Sequence, residues 1–111
     1  PICADESCHV AADLPRLRAR YQAVNIKLDK TGGLTGALQL LEAAKADGFL
    51  IMVGCMVGSS LGIAPALHVA RHASFVDLDG PWWLQQDMPG GVQFQQDHLL
   101  PPAAGFWGND A

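Results

Sequence analysis

Charge is scarce in this chain. Asp, Glu, Lys and Arg make up 16% of its 111 residues, and seven Lys and Arg face eleven Asp and Glu, for a formal net charge of −4. A nucleic-acid binder neutralises phosphates with a basic face. Here only Arg16, Arg18 and Arg20 gather, on what reads as a solvated helix face, so nucleic acid is excluded as a partner. Cysteine is sparse too: Cys3, Cys8 and Cys55 are odd in number and none has CxxC spacing. That excludes a disulfide framework, and reduced thiols in a cytoplasmic protein are the simplest expectation. No apolar run is long enough for a membrane span, which needs about 20 residues; the best, Phe49 to Gly58, is far shorter. Asp5 and Glu6 stand where a secretory leader would be apolar. Zinc-type clusters are wanting as well. His68 and His72 have helical i, i+4 spacing without the glutamate of HExxH, and Cys3, Cys8 and His9 have no second half.

What the chain does have is apolar residues, half of the total, enough to core one small domain. Four strand candidates recur: "PICADES" (Pro1–Ser7), "AVNIKLDK" (Ala23–Lys30), "FLIMVGC" (Phe49–Cys55) and "SFVDLDG" (Ser74–Gly80). The segments between them read as helices. Asp13 caps the first and Pro15 falls in its first turn, with Leu14, Leu17 and Tyr21 on one face. Thr35 caps the second, which carries Leu38, Leu41 and Ala44 and closes at Gly48. Ser59 or Ser60 starts the third, with Leu61, Ala64 and Leu67 along it. This alternation implies a parallel sheet with right-handed crossovers. From Pro81 the pattern gives way to Pro, Gly, Gln and aromatics, read as an irregular tail with a hairpin around Pro89–Gly91.

Each strand that bears charge bears it near its C-terminal end: Asp5 and Glu6, Lys27 and Asp29, Asp77 and Asp79. Function in parallel α/β folds gathers at that end. Parity sharpens the pattern. Val24, Ile26 and Leu28 alternate with Asn25, Lys27 and Asp29, and Val76 and Leu78 with Asp77 and Asp79. In a closed barrel the apolar set faces helices and the polar set faces the axis, so acids and a lysine converge on one mouth. A carboxylate such as Asp5 is a hard oxygen ligand for a divalent cation. A lysine beside a cation and partly desolvated has a lowered pKa and acts as a base. Two carboxylates on one face, Asp77 and Asp79, suit a substrate ammonium. Read singly, Asp5–Glu6 is a dipole-favoured pair at a helix start, Asp77 and Asp79 are turn residues before Gly80–Pro81, and Asp29 and Lys30 pair with neighbours.

At these residues the chain resembles the enolase superfamily, and within its muconate-lactonising branch the dipeptide epimerases of the L-Ala-D/L-Glu group. "ADES" at Ala4–Ser7, "NIKLDKTGG" at Asn25–Gly33 and "DLDGP" at Asp77–Pro81 carry the resemblance, and "MVGCM" at Met52–Met56 supports it. It implies an α/β fold, the C-terminal half of a (β/α)8 barrel: strands five to eight with their helices over residues 1–80, then a tail over 81–111 that packs on the barrel or on a missing capping domain. It implies Mg2+ as cofactor with Asp5 as one ligand, and Lys27 as the acid/base on one face of the substrate α-carbon. Asp77 and Asp79 would take the ammonium of a dipeptide, and Cys55 and Met56 would line the substrate. Glu6 and Asn25 would stand behind these groups. The family's second lysine, in a KxK motif, and two further metal carboxylates are absent. The chain is therefore expected to be a fragment, inactive alone, of an enzyme that is a homo-oligomer when intact. Sister activities on the same fold remain open: N-acyl amino acid racemase, muconate cycloisomerase or o-succinylbenzoate synthase. So does a non-catalytic half-barrel whose edges, Pro1–Ser7 and Ser74–Gly80, need a partner.

Overall fold

The computed structural model describes residues 1–108; the last three residues of the expected tail lie outside them. Strands β1 (Cys3–Ala4), β2 (Ala23–Ile26), β3 (Leu50–Val53) and β4 (Phe75–Val76) form one sheet in the order β1-β2-β3-β4. Every neighbouring pair is parallel. Between them run α1 (Leu14–Leu17), α2 (Leu28–Thr31), α3 (Leu34–Ala46), α4 (Ser60–Ile63) and α5 (Leu67–Ala70), with 3-10 turns before α1 and between α4 and α5. The expected alternation is present and the edges are β1 and β4, as expected. No helix among the described residues is long and apolar enough to cross a membrane.

Register separates the two faces of the sheet. Ala4, Val24 and Ile51 lie in one row, and Ile26 and Val53 in another. All five are buried in the core with Leu40, Leu41 and Ala44 of α3 and Val69 of α5. β-Branched residues favour such pleated, covered positions. The alternate rows, with Asn25, Met52 and Phe75 in register, point the other way. There Leu50 and Phe75 are left 41% and 47% exposed, while Ala23 and Asn25 on the same face are buried.

Several boundaries differ from the sequence reading. β2 ends at Ile26; Lys27 keeps extended backbone but caps α2, so Asp29 rides a helical turn, exposed, and shares no strand face with Asn25. Gly32 and Gly33, at φ 78° and 119°, reverse the chain between α2 and α3, and Gly33 is the N-cap where Thr35 was expected. A left-handed backbone there favours glycine over any capping side chain. The buried face of α3 is Ala37, Leu40, Leu41 and Ala44, leaving Leu38 exposed; Gly48 closes the helix with φ 82° as expected. Likewise Leu61 is exposed and Ile63, Ala66 and Val69 are buried instead. Asp13 does not cap α1. Its carboxylate turns back to accept the N–H groups of His9 and Val10. The tail hairpin is not at Pro89–Gly91: β5 (Gln93–Gln95) and β6 (His98–Leu100) pair antiparallel around Gln96–Asp97, and Gln96 takes φ 57°.

Candidate active site

Parallel strands end together, and three of the four ends carry ionisable groups. Asp5 follows β1 and Lys27 follows β2. The Lys27 ammonium donates to Asp5 Oδ2 at 3.0 Å. Lys30, one helical turn further on, donates to Asp5 Oδ1 at 3.0 Å, to the Asp5 main-chain carbonyl and to the Asn25 carbonyl at 3.0 Å. One carboxylate is thus held by two ammonium groups whose side chains are only 12% and 7% exposed, while its own is 31% exposed. Burial pushes the Asp5 carboxyl up, but the hydrogen bonds and charge of Lys27 and Lys30 outweigh it and hold it below the ordinary value. The hydrogen bond to Asp5 raises Lys27, against the opposing effect of burial. The expected lowering was for a lysine beside a bound cation; beside Asp5 alone, the neighbouring anion favours the protonated form of Lys27.

The β4 edge of the sheet brings a second pair at the same strand ends. Burial, and then the adjoining Asp79 carboxylate, push the Asp77 carboxyl up. Asp79 also accepts the indole N–H of Trp83 at 3.0 Å. Two carboxylates that resist holding two charges together are relieved by a cation placed between them. The loop after β3 lies against this pair. A Cβ on Gly80 would come within 2.5 Å of the Met56 carbonyl oxygen and 3.4 Å of the Cys55 sulfur, so the chain crosses there only as glycine. Cys55 is half-buried, its thiol pushed up chiefly by burial, and Met56 is 51% exposed. Asp77 and Asp79 also line a cavity of about 580 Å³ with Trp82, Trp83 and Phe94.

Glu6 is exposed, and its charge acts on Lys27 behind that of Asp5. Asn25 is buried at 5% exposure, and its Oδ1 has no hydrogen-bond partner. A Cβ on Gly54 would press on the Asn25 amide, so Gly54 is a packing glycine, whereas Gly58 and Gly62 have open space. Among the described residues no group of three or more His, Cys, Asp or Glu could hold a metal ion. Asp5, ionised and half-open, fits one position in an oxygen-ligand shell; the donors among the described residues do not fit a complete one. Sequence reasoning left Lys30 as a structural residue pairing with neighbours, and it does pair. What it did not find is that the partner is Asp5. A lysine three residues after Lys27 was the only local signal.

A parallel sheet interleaved with helices, with ionisable groups at the C-terminal strand ends, defines part of a β/α barrel enzyme fold. Residues 1–106 match the family described as enolase C-terminal domain-like, and the chain belongs to that family. It is 53% identical over 108 residues to an N-acetyl-D-glutamate racemase of Pseudoalteromonas sp., covering 97% of this chain and 34% of the racemase. With the L-Ala-D/L-Glu epimerase of Escherichia coli K12 the identity is 54% over 99 residues, 89% of this chain and 31% of the epimerase. A solved enolase-family structure from Agrobacterium tumefaciens, with homology to dipeptide epimerases and bound to sodium and L-Ala-L-Glu, superposes with TM-score 0.88 at 55% identity, covering 90% of this chain and 31% of that one. The dipeptide epimerase of Cytophaga hutchinsonii, complexed with Mg and D-Ala-L-Val, gives TM-score 0.82 at 33% identity over 93% of this chain and 30% of that one. The resemblance to dipeptide epimerases holds, and the chain spans about a third of the length of these relatives.

Proposed function

We propose that this chain is the C-terminal barrel portion of a dipeptide epimerase, in which Lys27 moves the α-proton of the C-terminal residue of a dipeptide of Ala-Glu type. The observation that carries it is the Lys27–Asp5 pair joining the ends of two adjacent parallel strands. Lys27 would work one face of the α-carbon, and a lysine outside this chain the opposite face, so the proton returns in either configuration. Lys27 needs its neutral form to take a proton, and Asp5 opposes that form. Whatever else engages the Asp5 oxygens in the intact enzyme relieves the opposition. Asp5 would contribute one carboxylate to a Mg2+ whose other ligands lie outside the chain; bound there, the ion supplies positive charge beside a substrate carboxylate and its enolate. Asp77 and Asp79 would hold the ammonium, Cys55 and Met56 would line the substrate, and Asn25 and Glu6 would support Lys27 and Asp5. Residues 1–80 would form the barrel portion, and the tail from residue 81 would pack on it or on a capping domain outside the chain. The intact enzyme is a cytoplasmic homo-oligomer in this reading.

One observation favours a second reading: the 53% identical relative named as an N-acetyl-D-glutamate racemase. An N-acylated substrate has no ammonium, which the Asp77–Asp79 pair argues against. The test joins this chain to the rest of a barrel, replacing the matching segment of the Escherichia coli epimerase. Deuterium exchange at the glutamate α-carbon is followed for L-Ala-L-Glu and for N-acetylglutamate. Faster exchange of the dipeptide is expected, with epimerisation of L-Ala-L-Glu to L-Ala-D-Glu falling at least about 10²-fold on Lys27→Met and a raised KM on Asp77→Asn with Asp79→Asn. Undiminished epimerisation by Lys27→Met refutes the proton-transfer role, and preference for N-acetylglutamate selects the second reading.

A further inference from the structure

The tail reaches back to the loop that carries Cys55 and Met56. Ser60, fully buried, begins α4. Its N–H donates to Asp87 Oδ1 at 2.9 Å, and its hydroxyl donates to Asp87 Oδ2 and accepts the Val92 N–H at 2.9 Å. Asp87 Oδ1 also accepts the Met88 N–H at 2.7 Å. Ser59, the N-cap by position, makes no side-chain capping bond, so the cap of α4 comes from a residue 27 positions beyond Ser60. A Cβ on Gly91 would run into the Ser60 side chain, so the tail closes on this clamp at contact distance.

The clamp bears on the site through the short loop before it. Residues 54–59 are held at one end by the close crossing of Met56 and Cys55 with Gly80, which directly follows Asp79. Ser60 and Asp87 hold the other end. Met56 and Val57, 51% and 68% exposed, have little packing of their own to define their place.

We propose that Asp87 and Ser60 are positioning residues for the substrate-lining loop 54–59, so that this contact between the C-terminal tail and α4 sets substrate affinity without either residue touching the substrate. The inference rests on the proposed function and assigns the tail a role in it. A misplaced lining loop weakens contacts made equally with substrate and transition state, which raises KM and leaves kcat. A purely structural role would cut the amount of active enzyme and leave KM unchanged.

The experiment uses the full-length enzyme containing this chain, with Asp87→Ala, Ser60→Ala and the conservative Asp87→Asn, whose amide oxygen can still accept the Ser60 and Met88 N–H groups. Dipeptide KM is expected to rise about ten-fold in both alanine variants, with kcat within about two-fold, and to return close to the parent in Asp87→Asn. Backbone amide exchange is measured on the same proteins and is expected to speed up at residues 54–60 in Asp87→Ala. Unchanged KM with lowered active fraction and melting temperature, or unchanged amide exchange over 54–60, overturns the inference. A parent enzyme without dipeptide turnover would refute the functional reading alone; amide exchange then decides whether Asp87 holds the loop.

Discussion

Lys27 and Lys30 share one carboxylate, yet their loss should have different consequences. Replacing Lys30 by Met keeps the stem and removes the ammonium. That ammonium serves Asp5 Oδ1, the Asp5 carbonyl and the Asn25 carbonyl, from a side chain 7% exposed. Two main-chain carbonyls lose their donor, at about 1 kcal/mol or more each where water does not replace it. The ion pair adds about 1 kcal/mol, discounted because Asp5 is 31% exposed and can draw water. Lys30→Met should therefore cost about 3 kcal/mol. Lys27 donates to one oxygen, Asp5 Oδ2 at 3.0 Å, and Lys30 still balances that carboxylate when Lys27 is gone. Lys27→Met should cost about 1 kcal/mol. Calorimetry of the full-length enzyme should then show melting fall by about 6–12 °C for Lys30→Met and about 2–4 °C for Lys27→Met, taking ~2–4 °C per kcal/mol. Turnover should fall most in the more stable of the two variants. Equal destabilisation, or a Lys30→Met protein as stable as the parent, would refute the division between an anchoring and a reacting lysine.

Two further outcomes rest on local geometry. The His9 and Val10 N–H groups hold the Asp13 carboxyl down at about 2, with Arg16 assisting. Because that folded value lies below the ordinary 3.8, its contribution is complete above about pH 4 and lost as pH falls through about 2. The stability gap between parent and Asp13→Ala, about 1 kcal/mol by denaturant titration, should close over that window, and a gap persisting below it contradicts the assignment. Glycines in two helices should respond oppositely to alanine: Gly36→Ala drives its methyl into the Thr31 carbonyl and should destabilise, while Gly62→Ala meets open space and should gain up to about 1 kcal/mol. Urea midpoints of the two variants distinguish these signs.

Part of this molecule can be read from its residues in order. The alternation of apolar strand candidates with helical segments appears as a parallel sheet, because burial imposes its period on each segment locally. Lys27 and Asp5 stand out because charge at the end of an apolar strand has to be answered by something. The limits of each element were less legible. A strand of two-residue period continues through Lys27, Asp29 and beyond on paper, whereas the Gly32–Gly33 reversal pulls Leu28–Thr31 into a helical turn. Leu38 and Leu61 look like core and are exposed, since the covered face of a short helix is chosen by where the sheet lies.

The sequence by itself determined the parallel α/β order, the polar strand ends and the family. Tertiary structure alone decided that Lys30 and Lys27 close on the same carboxylate and that Asp87 caps a helix beginning at Ser60. The physical reason is separation along the chain. Periodicity is set by neighbours three or four residues away, but these bonds join groups 22 to 27 residues apart; the register of the packed sheet brings Asp5 to the two lysines, and the tail folding back on α4 brings Asp87 to Ser60.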